Sequence, residues 1–417
     1  MNKRSKAAYG VLGAPLAMAA LPVYIYTPKL YGDEFGLGLA LTGLILLFSR
    51  IVDTLQDPWL GKLADYLQPR PGGWSRMISV SALLLGVAFI ALFNPPALSK
   101  VGLVTWLGVS LILVYTAHSA LNITYLAWGA RASEDSHERT SIVASREGFG
   151  LAGVILASLL PMIFGFWLDG PWRWLAFSLA FIAVLLLGTW LLNNHVPKPQ
   201  GLAGRSRGIL HPLRHAQFRR LAFLFLINGL AVAVAATLAL FYISDILKLE
   251  SHTGILLALY FISGAASLPL WLGLSRRLGK PVTWAISTLV AVLAFIWAIS
   301  LGAGDLVPYA IICILSGAAL GADLTLPAAI AADIIPQDER NQAGGYFGIW
   351  SLIGKGVLAL AAGLTLPLLA FLGYQPGENG GLEALALFYA GIPCVIKLIS
   401  AALLMRWRPY LEVHHAT

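Results

Sequence analysis

The stretch LTGLILLFSRIVDTLQDPWLG, Leu41 to Gly61, sets three ionisable residues inside an otherwise oily run. Arg50, Asp53 and Asp57 fall at i, i+3 and i+7, so a helix stacks their side chains on one face. A charge at membrane depth costs roughly 2.5 to 3.5 kcal/mol on insertion scales and persists mainly where it faces a bundle interior. Two carboxylates about 6 Å apart repel by about 3 kcal/mol at an effective dielectric near 20, and a single arginine offsets only one of them. The trio therefore carries one net negative charge when ionised. Such a face calls for one more monovalent cation, a proton or a metal ion such as Na⁺ held by Asp53 and Asp57. Pro58 cannot donate to the carbonyl four residues back, which leaves that of Thr54 as a further oxygen ligand. The opposing reading is a structural ion pair that locks neighbouring helices together.

Composition supplies the setting. Of 417 residues, 58% are apolar and 12% charged, against the roughly 25% charged of a soluble domain. Apolar segments near the ~20 residues needed to cross a bilayer recur between short polar breaks. Spans read at about 7–28, 38–58, 76–94, 101–128, 141–166 and 172–193, then at about 217–244, 252–274, 281–300, 306–333, 342–372 and 382–405. The expected fold is an all-α membrane protein of twelve transmembrane helices. Lys and Arg orient it, because they accumulate in cytoplasmic loops. Of the 28, only Lys29, Lys100, Arg173 and Lys248 fall on one alternating set of loops, Arg50, Arg146, Lys355 and Lys397 fall within spans, and the rest share the other set with both tails. Both termini are expected in the cytoplasm and the chain in a bacterial-type inner membrane. The net charge of +8 is spread over every inner loop, so it does not point to a nucleic-acid partner. The start, MNKRSKAAYGVLGAPLAMAA, has signal-peptide features, but cleavage there would remove one span from an even set. Cys313 and Cys394 lie within spans and imply no disulfide.

The polar interval His195 to Gln217 divides six spans from six, giving halves at 1–194 and 217–417 with a cytoplasmic linker at 195–216. A pattern recurs on either side: WLGKLADYL at Trp59 to Leu67 and WLGLSRRLG at Trp271 to Gly279. Repeated halves of this kind suit transporters that rock about a central site. Here the chain resembles the major facilitator superfamily, whose loop signature Gly-x-x-x-Asp followed by basic residues is matched by Gly61, Asp65 and Arg76. On that reading Gly61 lets helices approach, while Asp65 and its arginines latch the inner face.

Within the superfamily the chain is similar to the glycoside, pentoside and hexuronide cation symporters. Their helix-2 signature, Arg-x-x-Asp-x-x-x-Asp-Pro-x-x-Gly, is matched from Arg50 to Gly61. Tyr9 and Gly10 match the opening of helix 1, Trp128 the inner end of helix 4, Arg146 helix 5, Asp333 the end of helix 10 and Lys355 helix 11. The resemblance implies cation-coupled symport of a sugar or sugar-like solute, with Lys355 as a coupling switch beside Arg50 and Asp333 as part of the gate. In the sugar carriers, carboxylates on helices 1 and 4 bind sugar hydroxyls; here neither stretch has one, and Thr124 stands where the helix-4 acid would lie. Asn122 is then a candidate oxygen for the cation, and Thr124, Tyr125, Trp128 and Arg146 are candidates for substrate, the aromatic pair by stacking. His118 reads as a core histidine. Arg146 and Glu147 project about 100° apart and are expected not to pair.

No catalytic motif of a soluble enzyme is present, so an enzyme is not expected, nor any cofactor beyond the coupling ion. The expected partners are a small-molecule substrate, the cation and the bilayer, in a monomer. Two alternatives stand beside sugar symport: a lipid-like or drug-like amphiphile as substrate, and a non-transporting scaffold on the same fold.

Overall fold

The computed structural model describes residues 1–168, 170–199, 208–377 and 380–412, without the side chains at 21, 24, 25, 29, 33, 39, 40 and 362. Arg205 and Arg207 of the expected linker, and the side chain of Lys29, lie outside them. Twelve helical paths follow one another among the described residues. The first, α1, is built from Lys3–Val11 and Gly13–Lys29 with Leu12 between. Then come α2 (Leu39–Leu67), α3 (Gly73–Phe93), α4 (Lys100–Arg131), α5 (Ser136–Gly165) and α6 (Pro171–His195). The second series is α7 (Ala216–Phe241), α8 (Thr253–Leu278), α9 (Lys280–Phe295), α10 (Leu306–Asp333) and α11 (Ala343–Phe371). The last, α12, runs through Leu382–Ala386, a π-helical turn at Leu387–Gly391 and Ile392–Leu411. Ten helices among the described residues are long and apolar enough to cross a membrane.

Local signals explain several boundaries. Ser99 accepts from the Gly102 amide at 3.3 Å and starts α4, and Asp135 accepts from His137 and Glu138 at the start of α5. Pro171 opens α6 at a position where a missing N–H costs nothing. Gly279, with φ of 83°, turns α8 directly into α9, a conformation that a side chain would strain. The internal repeat reappears in the backbone. Single π-helical turns at Leu30–Glu34 and Tyr242–Ile246 end α1 and α7, displaced by the same 212 residues that separate Trp59 from Trp271.

By internal packing the chain forms two units, Met1–Pro212 with Ile335–Leu352, and Leu213–Ile334 with Ile353–Thr417. The sequence reading gave the segment before Leu352 to the second half; its packing puts it with the first. In the first unit α1 lies against α5 through small residues. A Cβ on Gly153 would stand 2.8 Å from Ala14 Cα, and one on Gly13 2.5 Å from the Arg146 carbonyl oxygen. Such close backbone approach supplies the dispersion contacts that join helices where lipid gives no hydrophobic drive. Phe89 and Phe93 of α3 pack against Trp174, Phe177 and Phe181 of α6 to fill the other side of this unit. In the second unit Tyr242, Tyr309 and Tyr389 form a buried cluster, with Tyr242 and Tyr389 stacked at 4.1 Å.

Candidate functional site: an acid pair on α2

The outward face of α2 is a stripe of Leu44, Leu47, Phe48, Ile51, Leu55 and Trp59, all exposed as a lipid-facing helix requires. This stripe turns the opposite face, with Ser49, Asp53 and Asp57, into the unit. Asp53 is 2% exposed and Asp57 fully buried. Arg50 reaches Asp53 at 3.6 Å and lies 5.5 Å from the ring centre of Tyr115. Ser119 of α4 donates to Asp53 Oδ1 at 2.8 Å, and Thr116 donates to Gln56 Oε1 at 2.9 Å. The polar faces of α2 and α4 thus meet over two turns. Two carboxylates, a half-exposed guanidinium and a serine hydroxyl form an oxygen-rich, electron-rich environment suited to a small cation.

The structure redistributes several candidates of the sequence reading. Thr54 folds its hydroxyl back onto the Arg50 carbonyl at 2.8 Å, while Pro58 within α2 still leaves the Thr54 carbonyl without its helical donor. The Asn122 Oδ1 accepts from Arg146 Nη2 at 2.9 Å. The α4 hydroxyl that bonds Asp53 is that of Ser119. The signal was available: Thr116, Ser119 and Asn122 recur every third residue on α4.

Arg146 and Glu147 do pair, contrary to the expectation drawn from their projection angle. The two side chains are long enough to bend toward each other, and Gly13 of α1 has no Cβ to stand in the way. The result is a partly exposed cluster of guanidinium, carboxylate and amide from Arg146, Glu147 and Asn122. Trp128 offers no stacking face here. It is fully buried and its indole donates to the Pro197 carbonyl at 3.0 Å. Thr124 is likewise enclosed, bonded to the Ala120 carbonyl at 2.7 Å and against Met77 Sδ at 3.3 Å. Tyr125 pairs with Tyr9: the Tyr9 hydroxyl donates to the Tyr125 carbonyl at 2.9 Å, and the Tyr125 hydroxyl returns the bond to the Tyr9 carbonyl. Beneath them a Cβ on Gly129 would stand 2.7 Å from Tyr9 Cζ. His118 points its Nε2 at the Leu16 carbonyl, 3.0 Å away, as a core histidine does.

At the inner end of α2 the gate candidates form a latch. Asp65 accepts from the amides of Gly344 and Gly345, both at 2.7 Å, so its carboxylate caps the start of α11. Gly61 permits this, since a Cβ there would stand 2.9 Å from the Gly344 carbonyl carbon, and one on Gly348 would stand 2.7 Å from the Asp57 carbonyl oxygen. Arg76 is exposed and takes no part in an ion pair among the described residues. The arginine whose charge reaches Asp65 is Arg131, which also lies over Trp74. In the second unit Asp333 at the end of α10 is bonded to buried Lys280 at the start of α9. Lys355 belongs to that unit and the acid pair to the first.

The sequence reading also missed Asp323. It sits alone in the apolar run of α10 and bonds Lys397, Asn228 and Trp284. The rule that singled out Asp53, an acid at membrane depth, applies to it equally.

Comparison with known proteins agrees with this architecture. The inner membrane symporter YicJ of Escherichia coli strain K12 is 25% identical over 59% of this chain and 55% of its own length. The isoprimeverose transporter of Lactiplantibacillus pentosus is 26% identical over 39% of this chain and 36% of its own. These matches thus span about half or less of the relatives' length, whereas the glucuronide carrier protein homolog of Escherichia coli strain K12 is matched at 24% identity over 92% of this chain and 87% of its own. Among solved structures, a bacterial homologue of the iron transporter ferroportin in its outward-facing state superposes with a TM-score of 0.76 at 15% identity, covering 98% of this chain and all of that one. The fucose:proton symporter of Escherichia coli gives 0.66 at 14% identity, over 96% and 97% of the two chains. At such identities the likeness carries the fold, which is that of the major facilitator superfamily. Residues 7–409 match the model of the MFS/sugar transport protein family, and the chain is a member of that family.

Proposed function

We propose that the protein is a secondary active transporter that couples entry of a monovalent cation, Na⁺ or H⁺, to that of a sugar or sugar-like solute by alternating access. One observation carries the reading: Asp53 and Asp57 are buried one turn apart on a lipid-striped helix, with the Arg50 guanidinium 3.6 Å from Asp53. Two ionised carboxylates so close together repel each other, and an entering cation relieves that repulsion. The Ser119 hydroxyl and the Thr54 carbonyl complete an oxygen set around the carboxylates. Lys355 is the coupling switch on this reading, tying cation occupancy to helix movement. The Asp65 latch on Gly344 and Gly345 is the inner gate, assisted by the Lys280–Asp333 pair of the other unit.

For the solute, Arg146, Glu147 and Asn122 supply donors and acceptors of the kind that hydroxyl groups need. Glu147 is the carboxylate that helices α1 and α4 lack. This weakens the amphiphile reading, which rested on a missing acid and on an aromatic lining; the acid is present and Tyr125 and Trp128 are enclosed. A scaffold gains nothing from two buried carboxylates set one turn apart. The protein works as a monomer in the inner membrane with both termini in the cytoplasm.

The test is uptake of labelled glycosides by proteoliposomes under an imposed Na⁺ or H⁺ gradient. Accumulation against a concentration gradient that collapses when the ion gradient is dissipated supports the reading. Uptake that never exceeds equilibration under either gradient overturns it.

A further inference from the structure

The second unit contains a polar node that plays no part in the proposed coupling. Lys397 of α12 donates to Asp323 Oδ2 of α10 at 2.7 Å and to Asn228 Oδ1 of α7 at 3.0 Å. The other oxygen of Asp323 accepts from Asn228 Nδ2 at 3.2 Å and from the Trp284 indole of α9 at 2.7 Å. The ion pair is nearly buried, 11% exposed at the lysine and 8% at the acid. Each group that hydrogen-bonds Asp323 does so through a donor that cannot accept: an ammonium, an amide NH₂ and an indole N–H. Both oxygens of Asp323 thus meet donors, the Lys397 ammonium at 2.7 Å among them.

We infer that this node is a monovalent-cation site already filled by the protein's own lysine. The ammonium of Lys397 rests on two oxygens from two helices, which is where a free ion would sit. On the proposed reading the acids of α2 in the first unit face an exchangeable cation; in the second unit one acid faces a cation tethered to α12. The parallel extends to the backbone, because Pro327 leaves the Asp323 carbonyl without its helical donor just as Pro58 does that of Thr54. The ligand class is the one the node already holds, a primary ammonium ion.

The inference does not rest on the transport reading, and its test uses stability rather than uptake. Purified full-length Lys397→Ala protein in nanodiscs is heated in matched ionic strength with ethylammonium or with tetramethylammonium, which has the same charge but no N–H. A lowered Tm that ethylammonium restores saturably, while tetramethylammonium does not, is the expected result. Asp323→Asn/Lys397→Ala should lose the rescue. Equal effects of the two amines, or a rescue that persists in the double variant, would overturn the inference. Should Lys397→Ala not fold, Lys397→Met keeps the stem and leaves the carboxylate without its cation. Asp323→Asn/Lys397→Met then recovers Tm relative to Lys397→Met alone, and a double variant no more stable than the single one counts against a filled cation site.

Discussion

Removal of the Asp65 carboxylate should open the start of α11 to solvent. In the folded protein it accepts from the Gly344 and Gly345 amides at 2.7 Å each, and these amides head a helix whose dipole favours an anion there. Each charge-assisted bond contributes about 1.5 to 3 kcal/mol when its partner is left buried. The freed amides regain water once the turn lifts, so about 3 kcal/mol for the pair is the working figure. At 1.4 kcal/mol per tenfold, Asp65→Ala raises the open population about 100-fold. Asparagine keeps one acceptor oxygen, so Asp65→Asn should give about 10-fold. Hydrogen–deuterium exchange of the peptide containing Gly344 and Gly345 reads this directly, since exchange tracks opening when reclosing is fast. Arg76→Ala serves as the comparison, because that side chain is exposed whereas Arg131 acts on Asp65. Unaltered exchange in Asp65→Ala, or an equal rise in Arg76→Ala, would refute the latch.

Asp57→Asn removes the charge that the entering cation balances, so gradient-driven accumulation in proteoliposomes should vanish while downhill exchange persists in part; undiminished accumulation would remove the acid pair from coupling. Glu147→Gln should weaken binding of a neutral glycoside about 10-fold by loss of an acceptor, and should favour the matching uronate by leaving the Arg146 charge uncancelled. Calorimetry with both ligands checks this, and an unchanged ratio of affinities argues against the cluster as the solute site. Gly153→Ala would set a Cβ 2.8 Å from Ala14 Cα, an overpacking that costs about 1 to 3 kcal/mol. A wild-type Tm for that variant would show that α1 and α5 yield more easily than their spacing implies.

The helical period of Arg50, Asp53 and Asp57 was enough to place the acids inside and the apolar stripe outside, because a membrane helix has only two kinds of surroundings to sort its residues into. Asp65 and Gly61 were legible as a pair for a similar reason: a glycine near an acid at a helix end announces close approach and capping. What sequence could not convey was the company each side chain keeps. Trp128 reads equally well as a stacking platform or as a plug, and only the Pro197 carbonyl beside its indole decides. The projection angle between Arg146 and Glu147 describes their Cβ atoms, not the tips of two flexible side chains. Arg131 replaces Arg76 near Asp65 because folding brings in a residue from another helix, which no local motif can reveal.

The reciprocal bonds between Tyr9 and Tyr125 constrain the order in which this sequence can drift. The Tyr125 hydroxyl binds a main-chain oxygen, so it keeps its partner whatever side chain residue 9 carries. Gly129 enjoys no such freedom, since any Cβ there meets the Tyr9 ring at Cζ as well as its hydroxyl. Removing the hydroxyl alone is insufficient; position 9 must first shrink below the size of phenylalanine. A mutational path that changes residue 129 before residue 9 passes through a clashing intermediate, while the reverse order gives up the Tyr9 hydrogen bond and its ring contact with Tyr125 but makes no clash. Random libraries of this protein should therefore yield survivors altered at 129 almost solely on backgrounds already altered at 9.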